Sequence, residues 1–362
     1  MGSPAPNRPP RPGHRKPGPV APVLACSVVD ESRQLDLFGA SLRPPLDAAD
    51  VEQVERGRTE AARIAARLPS NVFFGTSSWS FPGWRGIIYS RRATEGELAW
   101  EGLAEYAKHP LLRTVGIDRG FYAPIPERDL LRYARQLPPG FPCCAKAQAA
   151  VTAMEVPGDR RTNPDFLRPE RFLEDTVRPF RSAFADHVGP FILQFPPVAP
   201  EHRDRPALFA GRLARFLAAL PRDLRYAVEL RDPALLTEEY RRALAESGAA
   251  HVYNYVTAMP MPQDQAAAIP LEAASFAVIR LLLAPGTRYD DRHDEFAPFD
   301  RIVAPDLEMR RQVVELARRA SSLGREVFVL VNNKAEGCSP LTVRALAQLL
   351  ADAEDPRSES VT

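Results

Sequence analysis

The chain has 362 residues, 45% hydrophobic and 26% charged, with a formal net charge of +1. That length suits a single α/β barrel with extensions, and the composition suits a sizeable globular core. A charge so close to zero provides no whole-protein field for nucleic acid or a membrane, and no stretch approaches the roughly 18 uninterrupted apolar residues of a membrane helix.

Residues 1–46 read as a disordered Pro/Arg-rich tail. Arg8, Arg11, Arg15 and Lys16 precede the first acid, Asp30, which makes a cationic arm on a nearly neutral body. VLAC (23–26) resembles a lipoprotein cleavage site. The KPGPVAP before it is too short and too broken by proline for a signal core, so the expected compartment is the cytoplasm and no membrane partner is expected. The four cysteines, Cys26, Cys143, Cys144 and Cys338, show no CxxC or Cys/His spacing and read as structural thiols of a reducing interior.

Residues 47–70 are expected to form an extra N-terminal helix, capped by Asp47 or Asp50, with Val51, Val54, Ala61, Ile64 and Leu68 along one stripe. From Asn71 to about residue 352 a regular alternation follows. Eight short apolar runs begin it: 72–78, 113–118, 142–147, 190–195, 225–231, 250–255, 276–283 and 326–333. Each is rich in β-branched or aromatic residues and bounded by Pro, Gly or Asp, as buried strands are. Helical patterns occupy 126–137, 169–184, 205–220, 237–247, 304–323 and 339–350. Eight strands, each followed by a helix or a long loop, predict a TIM-like (β/α)8 barrel. The rival, a doubly wound open sheet, would carry a Gly-rich phosphate turn after its first strand, and GTSSWSFPGW lacks that spacing. Residues 353–362 read as a disordered C-terminal tail.

In a barrel, chemistry gathers at the carboxyl ends of the strands. Those ends carry Ser77, Ser78 and Trp79; Asp118 and Arg119; Lys146 and Gln148; Gln194; Glu229 and Arg231, on one face by period-two alternation; Asn254 and Tyr255; Arg280; and Asn332 with Asn333. Charges inside apolar runs need partners, because a lone buried charge costs several kcal/mol. Two readings compete: a self-satisfied ion-pair plug, or groups converging on a ligand. Three cations (Lys146, Arg231, Arg280) against two carboxylates (Asp118, Glu229) leave one surplus positive charge, which favours a polar or anionic ligand.

On the second reading, Glu229, Lys146 and Asp118 are the candidates for acid–base chemistry. Trp79, Gln194, Arg231, Arg280 and Asn332 are the candidate ligand contacts. None of the six histidines falls at a strand's carboxyl end, so no metal site and no cofactor are called for. YDDRHDEF (289–296) reads as a solvated acidic loop.

Taken in order, these segments have a family likeness. GTSSWSFPGWRGIIYS (75–90) resembles the opening signature of the YecE-like family, domain of unknown function 72. TVGIDRGFYAPI (114–125), CAKAQAAVT (144–152), GPFILQFPP (189–197), AVELRDPALL (227–236), VIRLLL (278–283) and VLVNNKAEGCSPLTVRAL (329–346) are similar to its later segments. The resemblance implies a TIM-like barrel without a defined reaction. This chain departs from the pattern at Gly116, where the family has Glu, and at Leu282–Leu283, where it has His-Gly. The Trp after strand five is also missing. Two proton-transfer groups are thereby lost from the mouth, which leaves open whether the barrel turns over a different substrate or only binds one. The expected ligand is polar or phosphorylated, a nucleotide or nucleic acid being among the candidates.

QLDLF (34–38) resembles the pentapeptide by which bacterial replication and repair proteins dock on the DNA sliding clamp. Leu35, Leu37 and Phe38 would fill a greasy pocket and Gln34 would contact its rim. The alternative function is therefore an inert accessory protein recruited to DNA. The competing explanation is that the same side chains fold back on the barrel.

Overall fold

A computed structural model of the chain describes residues 47–156, 161–198 and 203–354. The QLDLF motif, Cys26 and most of the expected C-terminal tail lie outside them.

Each of the eight apolar runs holds a strand: β1 Val72–Thr76, β2 Thr114–Ile117, β3 Cys143–Lys146, β4 Val188–Gln194, β5 Tyr226–Glu229, β6 Ala250–Tyr255, β7 Phe276–Leu281 and β8 Glu326–Val331. All pair in parallel in sequence order, and β8 closes on β1 from Val72↔Val327 to Thr76↔Val331. This is a closed α/β barrel. The open-sheet alternative fails because β1 is hydrogen-bonded on both edges.

Alternation along the strands sorts two apolar layers. Cys144, Ile192, Ala227, Ala250, Val252, Phe276, Val278, Phe328 and Leu330 fill the barrel interior, with Phe73 stacked on Phe328 at a centroid distance of 5.1 Å. The residues that alternate with these, such as Phe74, Val115, Phe191, Val228 and Val329, pack outward against the helices.

Two glycines let β1 and β2 approach. A Cβ on Gly75 would lie 2.0 Å from the Thr114 carbonyl oxygen, and one on Gly116 2.8 Å from that of Ser77. Both face inward by parity. That stretch of wall therefore projects no side chain, and the interior beside it is left to long groups reaching from other strands.

The N-terminal helix runs Ala48–Ala65, capped by Asp47, whose side chain accepts from the Ala49 N–H. Asp50 instead receives Arg85 Nε at 2.5 Å, which ties the helix to the loop after β1. The closing helix reaches Ala353, beyond the expected end.

Several elements differ from expectation. YDDRHDEF is a helix, Tyr289–Phe296, not a loop. Asp290 and Asp291 sit in its first turn, where the dipole favours acids, and Arg292 pairs with Glu295 one turn on. Helices Glu95–Glu101 and Pro262–Ala268 went unforeseen, the first held by a Thr94–Glu97 capping box. The helix expected at 169–184 widens to a π turn over Leu173–Val177. Among the described residues, no helix is long and apolar enough to cross a membrane.

Candidate functional site

Directly above the apolar interior lies Arg280, next to last in β7 and fully buried. Its register partners are Asn254 on β6 and Leu330 on β8. Arg280 Nη1 donates to Glu229 Oε2 at 2.5 Å, and Nη2 donates to Asp118 Oδ2 at 2.9 Å. The side chain thus reaches from β7 to β5 on one side and β2 on the other, beside the wall that Gly75 and Gly116 leave bare. The second Glu229 oxygen accepts from Arg231 Nε at 2.6 Å, and Arg231 Nη2 donates to Gln194 Oε1 at 2.9 Å.

The structure therefore brings together six of the sequence-derived candidates: Asp118, Lys146, Gln194, Glu229, Arg231 and Arg280. Burial works to raise the Glu229 carboxyl, but Arg231, Arg280 and Lys146 outweigh it and hold it near 2. Glu229 is ionised at neutral pH with both oxygens occupied. Arg280 is raised above its ordinary value: burial opposes its charge, and Asp118 and Glu229 more than offset that.

Lys146 stands apart. Its Nζ lies 4.0 Å over the Phe121 ring. Among the described residues it makes no ion pair, because the arginines hold both carboxylates. Burial pulls the ammonium down to about 8. Asp118 and Glu229 work against that shift, and Arg280 and Arg231 add to it.

One candidate lies elsewhere. Trp79 is buried with its indole Nε1 donating to the Leu98 carbonyl at 3.0 Å and its ring edge-on to Tyr133, so it faces the helical layer. Asn332 continues the inward parity of Phe328 and Leu330, its N–H still bonding the Leu281 carbonyl at 2.7 Å, while its Oδ1 caps the turn Asn333–Ala335 by accepting from the Lys334 N–H at 3.0 Å. Asn254, also at a strand end, donates to the Leu230 carbonyl and receives Gln265 Nε2. Its side chain joins β6 to β5.

Sequence reasoning passed over Phe121, the ring over Lys146. It named Ser77 and Gln148 at strand ends without assigning them a role. Parity could have found both, since Gln148 follows Lys146 by two residues as Arg231 follows Glu229. Among the described residues, no group of three or more His, Cys, Asp or Glu side chains is placed to hold a metal ion.

Solved structures share this architecture. A DUF72 family protein of Enterococcus faecalis V583 superposes with a TM-score of 0.54 at 16% identity, covering 77% of this chain and 95% of that one. A DUF72 family protein of Thermotoga maritima MSB8 gives 0.51 at 17% identity, covering 78% and 98%. At such identities the likeness is one of fold. No curated protein matches. The sequence pattern described as "Protein of unknown function DUF72" matches residues 73–361, and by that match the chain belongs to the DUF72 family.

Proposed function

We propose that the carboxyl-end mouth of the barrel binds a small polar, anionic ligand, with Arg231 and Lys146 as its cationic contacts. The observation that supports this most is Lys146, half-buried over Phe121 and without a carboxylate partner among the described residues. A self-satisfied plug would give each cation a carboxylate, because leaving one charge buried without a partner is costly. Here three cations share two carboxylates, and the cation left over lies at the mouth. Arg231 supports the same reading: its Nη1 has no partner among the described residues, and its side chain is 20% exposed.

On this reading Glu229 and Asp118 hold the arginines in place. Lys146 is the group suited to exchanging a proton with a ligand, since an amine titrating near 8 is roughly one-tenth neutral at pH 7. The Phe121 ring packs against its Nζ. The test is calorimetric titration of wild type, Lys146→Met and Arg231→Gln with inorganic phosphate. Binding that weakens in both variants supports the proposal. Binding unchanged in both would return the cluster to a structural plug.

A second reading rests on sequence alone. All five positions of QLDLF agree with the clamp-docking pentapeptide, and we carry recruitment to a DNA sliding clamp as its proposal. Titrating a peptide of residues 28–44 against a clamp decides it. Affinity unaltered when Leu37 and Phe38 become Ala would remove the idea.

A further inference from the structure

The mouth contains polar atoms that the ion-pair cluster does not use. Ser77 is 3% exposed and Gln148 4% exposed. Ser77 Oγ and Gln148 Nε2 are buried with no hydrogen-bond partner among the described residues. Leaving such groups unpaired costs about 1–3 kcal/mol each, so native structures rarely tolerate it without a reason.

Both residues take the inward parity of their strands. The Ser77 N–H still bonds the Val331 carbonyl at 2.9 Å, so the β1 ladder runs one residue past the strand. Phe73 faces the interior cluster, and a period of two brings Gly75 and then Ser77 to the same side. On β3, Cys144 faces that cluster, the Ala147 N–H continues the ladder to the Ile192 carbonyl, and the period carries Lys146 and Gln148 inward. The two groups therefore flank Asp118, the residue just past β2, one strand to each side. At Gly116, also inward, the chain packs directly against the Ser77 backbone, where a Cβ would lie 2.8 Å from the Ser77 carbonyl oxygen.

The unused groups are alike in kind. Ser77 Oγ, Gln148 Nε2 and Lys146 Nζ can all donate hydrogen bonds, and the neighbouring carboxylates already accept from Arg280 and Arg231. A ligand seated there must supply acceptors. A carboxylate has two oxygens in one plane. A phosphate monoester has three around a tetrahedron, enough to meet donors arriving from β1 and β3 together.

We infer that Ser77 and Gln148 are specificity-determining residues that select a phosphate monoester over a carboxylate in the mouth. This rests on the anion-binding reading above and adds to it the class of anion and the two residues that distinguish it.

The test is calorimetric titration at pH 7 with methyl phosphate and with acetate. It uses full-length wild type, Ser77→Ala, Gln148→Leu and the near-isosteric Gln148→Glu, each first shown to unfold as the wild type does. In wild type, methyl phosphate should bind at least roughly tenfold tighter than acetate. Ser77→Ala and Gln148→Leu should each weaken methyl phosphate by about tenfold while changing acetate by less than about twofold, and Gln148→Glu should weaken both anions, because a negative acceptor replaces the donor. Comparable affinity for the two anions, or phosphate binding indifferent to all three substitutions, overturns the inference and leaves the anion site standing. The second result would mean that water partners these atoms. If neither anion binds wild type, the anion-binding reading falls and this inference with it.

Discussion

Arg280 Nη1 lies 2.5 Å from Glu229 Oε2, and neither side chain has any exposure to solvent. A charge pair so deep is favourable only because each member is bonded again, Arg280 to Asp118 and Glu229 to Arg231. Removing one member strands the other. Glu229→Leu alone should cost about 3–5 kcal/mol, whereas Glu229→Leu with Arg280→Met should recover a large part of that loss. Urea unfolding of the two singles and the double closes the cycle, and simple additivity would contradict the coupling.

Lys146 gives the protein a stability signature above neutral pH. Its native value, near 8, lies below the ordinary 10.5. Between those limits the unfolded chain holds the proton and the native chain does not, so stability rises with pH across that window; below about 8 both forms are protonated and the slope vanishes. The charged lysine therefore burdens the fold at pH 7. Lys146→Met should raise unfolding stability at pH 7 and flatten the rise between 8 and 10.5. A variant less stable than wild type at pH 7 would contradict this account.

His251 works in the acid range. It is buried between the Tyr240 hydroxyl at 2.9 Å and Gln265 Oε1 at 3.1 Å. Burial pushes the ring down from 6.5 to about 4. Between pH 4 and 6.5 the unfolded chain binds the extra proton, so stability falls as pH drops through that window. His251→Gln should remove this part of the acid sensitivity, an effect on the order of 3 kcal/mol by pH 4. Denaturant midpoints at pH 4 and 7 measure it, and an unchanged pH dependence in the variant would refute it.

The bare wall beside Arg280 can be tested by filling it. Gly116→Ala places a methyl 2.8 Å from the Ser77 carbonyl oxygen and should cost about 1–3 kcal/mol. Gly75→Ala, at 2.0 Å from the Thr114 oxygen, should cost more. Thermal unfolding ranks the two. The opposite order would mean that β1 and β2 can part more easily than their pairing indicates.

The strands were legible because each is a short β-branched or aromatic run with a breaker at its end. The convergence of Asp118, Lys146, Glu229, Arg231 and Arg280 was legible because a period of two carries from one strand end to the next once the ring closes. Trp79 was not, because beyond Ser77 the chain turns into Pro82–Trp84 and the indole swings out to Leu98. Parity does not survive that turn. Phe121 was missed for the same reason, as it lies in the turn Asp118–Phe121 after β2. The helix Tyr289–Phe296 was missed because it has little apolar stripe to reveal its period.

The central claim is that an anion completes the mouth by pairing with Lys146. The most direct measurement is an NMR titration of the Lys146 ammonium, assigned by its loss in Lys146→Arg, with and without inorganic phosphate. A bound anion must favour the charged lysine, so the midpoint should rise from about 8 toward the ordinary 10.5 as phosphate is added. A midpoint that stays where it was at saturating phosphate would contradict the account.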